Sequence, residues 1–218
     1  MSDGACVCAL IPRLSLRTRL LVAFHVREWS KTTNTGHLAA QAVAGSRCAL
    51  WGLGDRDAQA DGAPTLRYLD GGAPERWRNG LARAGEPTEA PWAFVLTTSD
   101  ATPLEPAALP PGPLLMVVPD GTWQQAGKMP RRIPALSQLP RLSLPASTLA
   151  SSPFRLRVAA QPGALATLHA VALALGLIEG PDVAAALLAP YEAFVARTLA
   201  SRGPERRRLS LAPEANSP

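Results

Sequence analysis

Asp120-Gly121-Thr122-Trp123 is the stretch of this 218-residue chain best placed to do chemistry. Directly upstream runs Leu114-Leu115-Met116-Val117-Val118, whose length and β-branching read as a buried strand. Downstream, Gln124-Gln125-Ala126-Gly127-Lys128-Met129 reads as a short polar helix that ends at Pro130. The carboxylate of Asp120 therefore falls where a buried strand hands over to a helix, the edge of an open α/β sheet at which ligands bind. There it can meet a bound ligand. The same position also suits a helix N-cap, with Asp120 accepting backbone N–H bonds and Trp123 filling core behind it. Spacing alone leaves both readings open.

The elements that must position this group follow from periodicity. Leu20 to Phe24, Arg47 to Trp51, Trp92 to Leu96 and the run from Leu114 read as strands. Leu142 and its neighbours form a short strand fenced by Pro140 and Pro145, which forbid helix there, and Phe154 to Arg157 is a further edge candidate. A polar loop from His25 to Thr33 leads into a helix that Asn34 or Thr35 caps. Glu75 to Arg83 is a short helix between loops, and Pro103 to Pro113 is a proline-punctuated connection. Ala164 to Leu177 is an almost wholly apolar helix, hence buried on most sides. Asp182 to Ala200 is a second long helix, with Asp182 and Arg197 matched to its macrodipole. Apolar strands separated by helices imply an α/β fold with a mostly parallel sheet and helices on both faces. One domain spans 1–200; the proline-bearing segment 201–218, with Arg202, Arg206, Arg207 and Arg208, is expected to be a disordered basic tail.

Composition sets outer bounds. Lys and Arg total 22 against 17 Asp and Glu, a net +5 that suits an anionic partner. No run of about 18 apolar residues is evident, so no membrane span is expected. Three cysteines do not make a disulfide framework, and the reading is a reducing, cytoplasmic setting. Nothing in the sequence specifies an oligomer, and a monomer is favoured.

Four ordered blocks carry a resemblance. They are Cys6-Val7-Cys8 with Ile11-Pro12; His25-Val26-Arg27-Glu28 leading to Lys31-Thr32-Thr33-Asn34-Thr35-Gly36-His37-Leu38-Ala39; Asp120 to Ala126 with Lys128-Met129, Pro134 and Leu139-Pro140; and Phe154-Arg155-Leu156-Arg157 followed by Thr167-Leu168-His169-Ala170. Together they resemble the DTW-domain family, the tRNA-uridine aminocarboxypropyltransferases, from Cys6 to about Ala200. The resemblance implies a SPOUT-like fold with a knotted cofactor-binding region, an arrangement that general rules of topology would exclude. It implies transfer of the 3-amino-3-carboxypropyl group of S-adenosylmethionine to uridine N3 in tRNA, leaving methylthioadenosine.

Within that family reading Asp120 is the expected base for uridine N3. Cofactor contacts are expected from the loops at the strand ends, through Thr97, Ser99, Pro119, Gly121, Thr122, Trp123 and Leu144, with Asn34 and Thr35 as further polar candidates that are equally well placed as caps. Lys31, Lys128, Arg131, Arg132, Arg155 and Arg157 are the expected tRNA contacts, each alone as easily a solvated surface charge. Family members commonly carry a second cysteine pair; here Cys6 and Cys8 stand alone, so no zinc is expected. Gly127 stands where a basic residue is usual, and His169 where a Glu is usual. His169 either weakens a charged contact to substrate or merely satisfies a local hydrogen bond. A catalytically weakened RNA-binding protein and a SPOUT-type RNA methyltransferase are the alternatives.

Overall fold

Leu20, Val22 and Phe24 alternate with Leu21 and Ala23 along the first strand, and all five are buried. A strand buried on both faces must lie inside a sheet that is covered on both sides. The computed structural model, which describes residues 6–52, 66–68, 91–98, 101–149 and 165–200, places it so. The strands are β1 (Thr18–His25), β2 (Arg47–Trp51), β3 (Arg67–Tyr68), β4 (Trp92–Leu96), β5 (Thr102–Pro103), β6 (Leu114–Asp120) and β7 (Arg141–Ser143). They form one sheet in the order β3-β2-β1-β6-β4-β7-β5. Six strands are parallel, and β3 alone pairs antiparallel, at the edge beside β2. The parallel α/β expectation holds, and β2 and β4 have the bounds read from sequence.

The helices are α1 (Val26–Trp29), α2 (Gly36–Ala42), α3 (Trp123–Arg132), α4 (Pro134–Ser137), α5 (Ala146–Leu149), α6 (Thr167–Glu179) and α7 (Pro181–Ala200). One core packs α2, α6 and α7 against Leu20, Val22, Phe24, Phe94, Met116 and Val118. On the opposite face Met129 and Ile133 of the α3 end and Leu136 of α4 cover Leu21, Ala23, Val95 and Val117. The alternation of the strand side chains sorts them between the two layers.

Helix α6 is pinned at both ends. Glu179, its last residue, accepts bonds from the backbone N–H and the hydroxyl of Thr18 at the start of β1. At its other end the Leu168 N–H donates to Thr35 Oγ1 at 3.1 Å. The helix therefore runs against β1 and brings its N-terminus to the carboxyl edge of the sheet. Gly176 lets α7 approach it closely, since a Cβ there would lie 2.7 Å from that of Ala184.

Three expectations need correcting. The stretch after His25 is not all loop: it holds the turn α1, for which His25 supplies the cap by accepting the Arg27 N–H at 3.2 Å. Helix α3 does not end at Pro130 but continues to Arg132. A proline late in a helix forfeits one backbone bond, and burial of Met129, Pro130 and Ile133 offsets that loss. Finally, α7 is long and apolar enough by length and composition to cross a bilayer, although no such segment was expected. Here its Leu187, Tyr191, Phe194 and Val195 are buried in the core against α6. The expected helix from Glu75 to Arg83, the strand from Phe154 and the tail 201–218 lie outside the described residues.

Candidate active site at the carboxyl edge of the sheet

The chain leaves β1 toward β2 on one side and leaves β6 toward β7 on the other. The β1–β6 seam is therefore the switch point of the sheet, where the loops diverge and leave a crevice. Phe24 and Asp120 are register partners across that seam, at the carboxyl ends of their strands. Asp120 is 3% exposed.

Asp120 does not cap the helix that follows it. Thr122 is the N-cap, accepting the Gln125 N–H at 3.3 Å, while Gln125 Oε1 accepts the Thr122 N–H at 2.8 Å. This reciprocal capping box places Thr122, not the aspartate, at the N-cap of α3. The cap reading of Asp120 is overturned.

What holds Asp120 comes instead from the β1–α2 loop. Asn34 Nδ2 donates to Asp120 Oδ1 at 2.5 Å and to the Glu28 carbonyl at 3.3 Å. Asn34 Oδ1 accepts the Gly36 N–H at 2.7 Å, an Asx turn that opens α2. Gly36 lies directly against the carboxylate: a Cβ there would overlap Asp120 Oδ2 and sit 2.9 Å from the Phe24 ring. Only glycine fits this approach.

Beside this lies an aromatic cluster. The His37 imidazole stacks on Phe24 with centroids 4.6 Å apart and meets Trp29 edge-on at 4.4 Å. His37 Nε2 is 2.8 Å from the Trp29 carbonyl, which fixes the ring across the loop. Glu28, almost wholly buried, forms an ion pair with the half-exposed Lys31. These contacts stiffen the loop that carries Asn34, and sequence reasoning did not single out Phe24, Trp29, His37 or Glu28 for that task. Glu28 and His37 fall in the blocks that carry the family resemblance, but nothing local pointed to their packing partners. His25 stands at the outer end of β1, edge-on to Trp51 at 5.5 Å. Burial, then the neighbouring Arg27, lower its pKa from the ordinary histidine value.

Asn34 and Thr35 are thus both engaged within the protein, Asn34 with Asp120 and Thr35 with α6. Thr97, Pro119, Gly121, Trp123 and Leu144 lie partly exposed at the ends of β4, β6 and β7, with the exposed Thr122 among them. Lys128, Arg131 and Arg132 are exposed on α3 at helical spacings of three and four, hence along one side. Lys31 is placed at the loop surface with Glu28 as partner. Ser99, Arg155 and Arg157 lie outside the described residues. His169 is buried in the first turn of α6, with its ring 5.4 Å from that of Tyr191 on α7. Burial lowers the His169 pKa below its ordinary value, with Glu192 opposing, and burial pushes the Tyr191 phenol up to about 12. Cys48 is buried in β2, and among the described residues no three His, Cys, Asp or Glu are grouped to hold a metal ion.

The chain is thus an α/β protein with a mostly parallel sheet and a carboxylate buried at its switch point, the edge at which such sheets bind ligands. The family model of the DTW domain matches residues 1–199, and the chain belongs to that family. Its membership is consistent with a tRNA-modifying function and points to tRNA as the substrate. No solved structure matches the chain.

Proposed function

We propose that this protein transfers the 3-amino-3-carboxypropyl group of S-adenosylmethionine to N3 of a uridine in tRNA, with Asp120 as general base. The observation that carries the reading is a carboxylate buried at the switch point, held by Asn34, in front of a helix whose N-cap is Thr122. Bound S-adenosylmethionine supplies a carbon already activated by its sulfonium. Thr97, Pro119, Gly121, Trp123 and Leu144, partly exposed at the strand ends, are the residues that would hold it, through main-chain groups and apolar walls of the kind that recognise a purine nucleoside.

Asp120 takes the proton from uridine N3. The freed N3 electron pair forms the N3–C bond as the C–S bond breaks, and methylthioadenosine departs as a neutral thioether with the C–S bonding pair. Since the donor is pre-activated, the protein's contribution is orientation and removal of one proton. Lys128, Arg131 and Arg132, beginning one helical turn beyond the capping box, orient the tRNA through phosphates. The proposal includes a SPOUT-like knotted cofactor-binding region, a reducing cytoplasmic setting and a monomer.

Product analysis after incubation with S-adenosylmethionine and unmodified tRNA tests the reading. Methylthioadenosine together with aminocarboxypropyluridine supports it. S-adenosylhomocysteine would assign a methyltransferase, and neither product would assign a protein that only binds RNA.

A further inference from the structure

Every polar group of the Asn34 side chain is committed. Its carbonyl oxygen faces the Gly36 N–H at 2.7 Å, which assigns the amide orientation and turns the NH2 group toward Asp120. One amide hydrogen then meets Asp120 Oδ1 at 2.5 Å and the other the Glu28 carbonyl at 3.3 Å. Asn34 is 8% exposed, so these bonds are shielded from water.

We propose that Asn34 is the positioning residue for the Asp120 base, an inference that rests on the reaction proposed above. Its N–H holds one carboxylate oxygen and favours the ionised form, because a donated hydrogen bond stabilises the charged state of an acid. The second oxygen is thereby oriented in the plane that Oδ1 fixes, toward the side on which Gly36 lacks a side chain. An amide is the one side-chain type suited to this position. An aspartate would keep the bond from Gly36 but set a second carboxylate against the first, and a serine would keep the turn and lose the reach.

The test uses Asn34→Ser and Asn34→Asp in the full chain, both of which retain an acceptor for the Gly36 N–H. The first readout needs no substrate. In protein with ¹³C-labelled aspartate carboxyls, the Asp120 resonance is assigned by its absence in Asp120→Asn, and its titration midpoint is followed. Asn34→Ser is expected to move that midpoint up by about one pH unit, the order expected for loss of one donor to a carboxylate. Asn34→Asp is expected to move it further, since two adjacent carboxylates share a proton. The second readout is the acid limb of single-turnover transfer, which is expected to shift in the same direction. At neutral pH Asn34→Ser is expected to turn over about ten- to a hundredfold more slowly. If turnover falls while midpoint and acid limb stay in place, Asn34 is only a loop latch and the inference fails, with Asp120 still the base. If Asp120→Asn itself transfers normally, the base assignment fails and the inference fails with it.

Discussion

Thr122 and Gln125 cap α3 reciprocally, side chain to backbone in both directions, and so release Asp120 from the role its place in the sequence would otherwise give it. The separation of tasks has a measurable consequence. Thr122→Ala is expected to cost about 1 kcal/mol of stability, the usual worth of such a cap, and to lower the melting temperature by about 2–4 °C in a chain of this size. The chemical step at saturating substrate is expected to hold within a few-fold. A thermal scan paired with single-turnover kinetics checks both.

Gly36 is expected to tolerate no side chain. Its Cβ would overlap Asp120 Oδ2 and crowd the Phe24 ring. Gly36→Ala is therefore expected to lose about 1–3 kcal/mol in urea unfolding, the range for overpacking, and to lose activity with it. Unchanged stability would show that the carboxylate does not lie against α2.

His169 lies against Tyr191, inside the helix pair, which favours its role as a packed side chain. Its folded pKa lies below the unfolded value of 6.5 because burial disfavours the imidazolium. The unfolded chain then binds the proton more readily, so stability is complete above about pH 6.5 and falls as pH drops from there toward the folded pKa. His169→Gln is expected to flatten that fall in melting temperature between neutral and mildly acidic pH. His169→Glu is expected to melt lower at neutral pH, because its carboxylate would be buried near Glu192. Faster transfer in His169→Glu without that loss would instead make the position a substrate contact.

Lys128, Arg131 and Arg132 share one side of α3 and are exposed. Replacing all three with Ala is expected to weaken tRNA binding about equally across different tRNAs. The slope of log affinity against log salt is expected to flatten by about two to three units, nearly one for each phosphate no longer neutralised. An unchanged slope in a filter-binding titration would move the RNA face elsewhere on the molecule.

The strands were legible because they are short apolar runs bounded by polar or proline-bearing turns. Arg47–Trp51 and Trp92–Leu96 have the bounds that pattern alone assigns. The two-residue strands Arg67–Tyr68 and Thr102–Pro103 were not, since two residues show no alternation and Pro103 argues against a strand. Asp120 stood out by its place after a buried strand, but its partner did not. Asn34 lies 86 residues away, and only the β1–β6 register brings the two together. Local sequence offered Asn34 as a cap; it does receive the Gly36 N–H, and the same side chain then reaches Asp120. The role of Thr35 was hidden for the same reason, because its hydroxyl serves the start of a helix 133 residues further on.

Whether Asp120 is a base or merely a latch between β6 and the Asn34 loop is decided most directly by Asp120→Asn. The amide keeps the shape and an oxygen that can accept from Asn34 Nδ2, so the latch survives and the base does not. Single-turnover transfer to tRNA is expected to fall by about 10²–10⁴-fold, with S-adenosylmethionine affinity within a few-fold and the melting temperature nearly unchanged. Transfer at close to the normal rate would contradict the central claim, and a lowered melting temperature alongside it would leave Asp120 a structural tie and nothing more.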